Sequence, residues 1–106
     1  LISRLTLLAI AVFAHVDAAG AANVAEGEKL ARKVCVTCHI VAPGVGPAQV
    51  TAGIPSFMSI ADKPDQTATQ IQAKILNPHP PMPQVQLTIP ELDNLATYIM
   101  SLKSKP

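Results

Sequence analysis

Ten prolines fall in this 106-residue chain, and their placement decides where regular structure can form. Three lie in Ile40–Pro55 together with three glycines, and five lie in Asn77–Pro90. Proline lacks the backbone donor and clashes with the preceding helical turn, so neither stretch is a helix interior or a central strand. Three windows remain for helices: one before residue 40, one between the two loops, and one at the C-terminal end. Loops this long in a small domain are usually functional or disordered. No run alternates with the two-residue period of a strand, and no internal repeat is present. The pattern predicts an all-α class.

The first residues have a different character. Arg4 precedes Leu5–Ala14, a run of ten that is apolar apart from Thr6, and Ala18-Ala19-Gly20-Ala21-Ala22 follows. A basic start, a short apolar stretch and a small-residue site are the order of a secretory signal peptide. Ala19-Gly20-Ala21 fits A-x-A, which predicts a leader over 1–21 cleaved after Ala21, with Val16-Asp17-Ala18 as the second candidate. A retained membrane anchor needs roughly 20 apolar residues, and here His15 and Asp17 follow the run at once. The expectation is export to a bacterial periplasm, with no stable membrane insertion once the leader is removed.

The domain expected over 22–106 has 37 hydrophobic residues among 85, an ordinary share for a globular chain. The 49% of the whole sequence is inflated by the leader, in which 15 of 21 residues are hydrophobic. Seven Lys/Arg stand against six Asp/Glu in 22–106. So small a net charge excludes a polyelectrolyte that binds nucleic acid by counterion release. Phe57 and Tyr98 are the domain's only aromatic residues. A core of this size is marginal without a disulfide, metal or cofactor as a staple.

Each window carries start or stop signals. Asn23 is a good N-cap, with Glu26 placed to reach back toward it, and Val24, Leu30, Ala31 and Val34 recur at helical spacing. A middle helix is expected to open near Asp65, bury Ala68, Ile71, Ile75 and Leu76, and stop at Asn77-Pro78. Thr88-x-x-Glu91 is a capping box, and Leu92, Leu95, Ala96, Ile99 and Leu102 then follow a 3.6-residue period. A short helical turn is expected around Ser56–Ala61.

Cys35-Val36-Thr37-Cys38-His39 carries the chemistry. The C-x-x-C-H spacing is that of a c-type haem attachment site. Two thiols three residues apart can each add to one vinyl group of a single porphyrin, and the adjacent His39 is then placed to meet the iron. Three other uses of these residues compete with haem. A thioredoxin-type dithiol wants a βαβ context, which is missing. Zinc on Cys35, Cys38, His39 and His79 is a chemically possible Cys2His2 set, at a spacing unlike the usual zinc modules. A Cys35–Cys38 disulfide closes too short a loop to stabilise much. Covalent haem is the expectation.

A haem iron raises the question of its sixth ligand: Met58, Met82, Met100, His79 or none. Most methionines are core filler, and Met100 on the terminal helix and Met58 beside Phe57 suit that role. Met82 lies in Asn77-Pro78-His79-Pro80-Pro81-Met82-Pro83, where prolines limit the entropy lost in presenting a side chain at a fixed point. Met82 is therefore preferred, with His79 the rival. Thioether ligation raises the reduction potential relative to two imidazoles.

On these residues the chain resembles the small bacterial class I c-type cytochromes, over almost all of 23–104. The matching features are Gly27 eight residues before Cys35, the C-x-x-C-H motif, Gly46-Pro47, Pro81-Met82-Pro83, and Leu92, Leu95, Tyr98 and Ile99 of the last helix. The resemblance implies a cytochrome c-like fold of three main helices and proline-rich loops around one covalent haem c. It places Cys35 and Cys38 as haem thioethers and His39 and Met82 as iron ligands. It also gives Gly27 the crossing with the terminal helix, and Pro47 the carbonyl that accepts the His39 Nδ1 proton. The implied function is one-electron transfer without enzymatic activity, as a monomer between redox proteins such as a dehydrogenase, oxidase or reductase. Two alternatives stand beside it. One is a subunit of a periplasmic oxidoreductase complex that covers Val85, Leu87 and Ile89; the other is a gas-binding haem sensor or catalyst with an open sixth site. The sequence departs from the family in having Leu30 or Ala31 where a bulky aromatic is usual. It also lacks the Trp that often holds a haem propionate, which leaves Lys63, His79, Gln84 and Tyr98 as candidates. Lys29, Arg32 and Lys33 either steer an acidic partner or form a solvated helix face; the small net charge favours the second.

Overall fold

The computed structural model describes residues 11–12 and 21–106. The expected leader and its cleavage site fall, apart from residues 11, 12 and 21, outside the described residues. The described residues form four α-helices: α1 Val24–Leu30, α2 Phe57–Ala61, α3 Ala68–Leu76 and α4 Ile89–Ser101. A π-helical turn, Ala31–Cys35, continues α1 directly into the cysteine motif. Extended pairing among the described residues is limited to one isolated bridge between Ala42 and Val45. The all-α expectation holds, and the anticipated turn at 56–61 is α2.

The helix ends follow local chemistry. The Thr88 hydroxyl oxygen accepts from Glu91 N–H while the Glu91 carboxylate accepts from Thr88 N–H, and Pro90 sits in the first turn of α4. The middle helix starts later than expected. Its N-cap is Thr67, in a capping box with Gln70, because Asp65 takes a left-handed φ of 58° and Gln66 turns back to donate to the Ile60 carbonyl. Leu76 is 54% exposed rather than buried, since it lies on the last turn of α3 where the chain leaves for the proline loop. The Asn23 side chain caps α1 by accepting from Glu26 N–H. Glu26 does not complete the box: it pairs with Lys29 at 3.1 Å, and the Asn23 N–H goes instead to Asn94 Oδ1 of α4 at 2.7 Å.

That bond belongs to the most extensive helix contact among the described residues, α1 against α4. Gly27 lies at the crossing. A Cβ there would collide with the Asn94 carbonyl oxygen and stand 2.7 Å from Tyr98 Cβ, so the two backbones meet where no side chain fits. The core around this crossing is aliphatic: Ala31, Val41, Ala61, Ile71, Ile75, Leu92, Leu95, Ala96 and Ile99, with Phe57 and Tyr98 the only rings. Ala31 is fully buried and Leu30 partly so, where the family resemblance leads one to expect an aromatic. Among the described residues, no buried side-chain nitrogen or oxygen lacks a hydrogen-bond partner.

Two predictions follow from this packing. Gly27→Ala destabilises the haem-loaded protein by at least about 2 kcal/mol, because overpacking here meets backbone rather than a movable side chain; thermal unfolding followed by circular dichroism measures it. The second concerns acid. The Thr88 backbone N–H and hydroxyl bonds hold the Glu91 carboxyl below its ordinary value, with Lys33 adding to the effect. A depressed folded pKa means that the stabilisation is complete above the unfolded-state pKa and is lost as pH falls through the folded one. Glu91→Gln keeps a capping acceptor but cannot titrate, so its denaturation midpoint should fall less steeply than that of wild type across this acid range.

Candidate haem site

The π-helical turn delivers Cys35 into a tight loop. Cys38 N–H and His39 N–H both donate to the Cys35 carbonyl, at 3.2 and 2.9 Å, which holds both cysteines and the histidine on one turn of chain. A π-turn inside a helix often marks a functional site, and this one ends on the first cysteine. The thiols are free, Cys35 partly buried and Cys38 exposed. Burial pushes the Cys35 thiol up to about 11. A redox dithiol works through a stabilised thiolate, and burial disfavours that form at Cys35. Among the described residues, no three His, Cys, Asp or Glu side chains come together as a metal cluster, and the zinc alternative loses its geometry.

His39 is held through Nδ1, which lies 2.6 Å from the Pro55 carbonyl oxygen. The resemblance pointed to Pro47, and this is a correction. The reason lies in the path of the loop. Phe57 N–H donates to the Ile40 carbonyl at 2.9 Å, which brings the end of the loop, and Pro55 with it, back beside His39. Gly46 has another use: a Cβ there would come within 2.9 Å of Ile40, so its backbone packs against the residue after His39. With Nδ1 engaged, Nε2 is the ring nitrogen left for a metal. No sequence signal separated Pro55 from Pro47. The nearest was Ser56, whose side chain caps α2 by accepting from Ser59 N–H and so fixes the chain at Pro55.

The Met82 side of the site is built from the second proline loop. Met82 is partly buried and packs, like Cys35, against the central apolar cluster. Met58 and Met100 also border that cluster, from α2 and α4, as core filler does. Three of the propionate candidates make hydrogen bonds within the protein. Tyr98 is buried and donates its hydroxyl to the Val41 carbonyl at 2.6 Å; Gln84 donates to the Leu76 carbonyl at 3.0 Å; His79 Nδ1 lies 2.8 Å from the Pro80 carbonyl oxygen. Burial raises the Tyr98 pKa, which keeps its hydroxyl protonated as a donor. Lys29 pairs with Glu26 and Arg32 with Glu28, so the basic residues beside the motif are largely neutralised on their own helix.

The donor set fits a covalently held haem: two free thiols at the attachment spacing, an imidazole oriented through Nδ1, and a thioether on the same apolar cluster as the first cysteine. Comparison with known proteins gives the class. Residues 22–99 match the family model described as cytochrome C oxidase, cbb3-type, subunit III, and the chain belongs to this family of c-type cytochromes. It is 38% identical over 96 residues to a cytochrome c-552 of Bradyrhizobium diazoefficiens, a match that covers 91% of this chain and 90% of that protein. No solved structure shows significant similarity to the chain. The protein is thus a small class I c-type cytochrome, a monohaem electron carrier whose cofactor is covalent haem c with its iron. Such cytochromes are typically exported, and among the described residues no helix is long and apolar enough to cross a membrane.

Proposed function

We propose that this cytochrome is a periplasmic one-electron carrier in which Cys35 and Cys38 hold the haem as thioethers and His39 and Met82 bind its iron. When bound, the haem supplies an iron that cycles between Fe(II) and Fe(III). The chain's residues do the rest. The 2.6 Å approach of His39 Nδ1 to the Pro55 carbonyl carries the reading, because it fixes the ring and turns Nε2 away from the peptide. Met82 comes from a loop stiffened by prolines on both sides, so little rearrangement is needed when the charge on the iron changes. With His39 and Met82 both holding the iron, the protein would leave no position on it for substrate and would act as a carrier and not an enzyme. Its partners are redox proteins met in small, transient encounters, as a monomer. Residues 1–21 act as the cleaved export signal, and the 22–106 domain has no stable membrane insertion.

A second reading is favoured by a specific observation. Ile89 is 76% exposed at the start of α4, with Val85 and Leu87 partly exposed before it, and the matched family is described as an oxidase subunit. Burial of these residues against a larger complex would account for both. Gel filtration of native extract separates the two: a free species of roughly 10 kDa supports the carrier, and co-elution with an oxidoreductase supports the subunit.

The ligand set makes two further predictions. Met82→Ala abolishes the far-red Met-to-Fe(III) absorption band and opens the reduced iron to rapid CO binding, whereas His79→Ala leaves both as in wild type. Rapid CO binding by the wild type would instead favour the gas-binding alternative. Cys35→Ala and Cys38→Ala each leave one covalent link, and only the double variant releases its haem under denaturing conditions, as mass spectrometry of the polypeptide reports.

A further inference from the structure

The domain's two aromatic rings both stand behind His39. Phe57 lies 5.5 Å from the His39 ring, centroid to centroid, at 46°; Tyr98 lies 6.3 Å beyond it in an edge arrangement at 63°. Phe57 and Tyr98 are each 3% exposed. Three consecutive residues are tied down by the same group of side chains and backbone. The His39 ring meets the Pro55 carbonyl, the Ile40 carbonyl accepts from Phe57 N–H at 2.9 Å, and the Val41 carbonyl accepts from the Tyr98 hydroxyl at 2.6 Å. Val41 is fully buried, so its carbonyl has no water to fall back on. A tyrosine that only filled the core would need no hydroxyl there. Tyr98 itself is fixed on α4 at the Gly27 crossing, so the chain of contacts ends on the most constrained point of the fold.

We propose that Tyr98 and Phe57 are positioning residues that hold the segment His39–Val41 in register with Pro55, and so set the strength of the His39 Nδ1 hydrogen bond and the reduction potential of the iron. This rests on the reading that His39 ligates the iron. A short bond from Nδ1–H to a carbonyl makes the imidazole more basic, which stabilises Fe(III) over Fe(II) and lowers the potential. Loosening the segment lengthens that bond and raises the potential. Tyr98 acts through the backbone at Val41 and Phe57 by packing on the His39 ring, so neither side chain needs to touch the haem.

The test uses the exported holoprotein and two variants. Tyr98→Phe removes the donor to Val41 and keeps the ring; Phe57→Leu keeps apolar volume and removes the ring against His39. Both are expected to stay low-spin and six-coordinate, to shift the midpoint potential upward, and to let the His39 Nδ1 proton of the reduced protein exchange several-fold faster in NMR. Ile99→Val, a trimmed core residue elsewhere on α4, is expected to lower the melting temperature and leave potential and exchange unchanged. Unchanged potential and exchange in both positioning variants overturn the proposal, and so does an equal shift in Ile99→Val. If Tyr98→Phe yields no holoprotein, Phe57→Leu decides by the same criteria. A lack of hyperfine shift on the His39 ring protons of the oxidised wild type would be a different failure, that of the ligand assignment itself.

Discussion

The backbone contact between α1 and α4 at Gly27 is the constraint on which the structure depends. A hydrogen in place of a side chain lets the Asn94 carbonyl and Tyr98 Cβ approach the first helix to distances that no other residue allows. Asn23 N–H bonded to Asn94 Oδ1 locks the same crossing from its N-terminal side. Because α1 runs through the π-helical turn straight into Cys35, the crossing also fixes where the attachment motif begins. Cofactor attachment and helix packing are therefore one geometric problem. A small core gains most from such an arrangement, since the haem adds apolar surface that the sequence does not encode.

The scarcity of aromatic residues acquires a meaning from this geometry. Aliphatic side chains fill the cluster around the helices, and the two rings the domain has are placed in series behind the histidine. A flat, stiff ring transmits position better than a flexible aliphatic chain, because it has few rotamers to relax into. The protein uses rings where orientation matters and aliphatics where volume suffices. The C-terminal tail is tied down by similar means: Asp62 accepts from both Ser104 N–H and Ser104 Oγ at 2.7 Å, which anchors the end of the chain beside α2.

Much of the candidate site is legible in the sequence because its chemistry is local. The cysteines and histidine announce themselves by spacing, and Met82 stands out from Met58 and Met100 by the prolines around it. The capping box at Thr88 and the stop at Asn77-Pro78 lie where local rules put them. The misplacements have physical causes of one kind. Glu26 failed to close its box because the N–H it would have bonded was taken by a residue 71 positions away. Pro55 displaced Pro47 because a backbone bond from Phe57 to Ile40 folds the far end of the loop onto the histidine. Tyr98 left the propionate candidates because its hydroxyl reaches a carbonyl 57 positions away.

The sequence alone determined the all-α class, the helix termini at Asn77 and Thr88 and the haem attachment motif, while Gly27 at the crossing came from the family resemblance. Each of the sequence-determined features depends on groups within a few residues of one another. Tertiary structure decided which carbonyl orients His39, what Tyr98 donates to, where α3 starts and which side of Leu76 meets water. Those choices rest on hydrogen bonds and contacts between distant segments, and such bonds are selected by how the helices pack before any local preference can act.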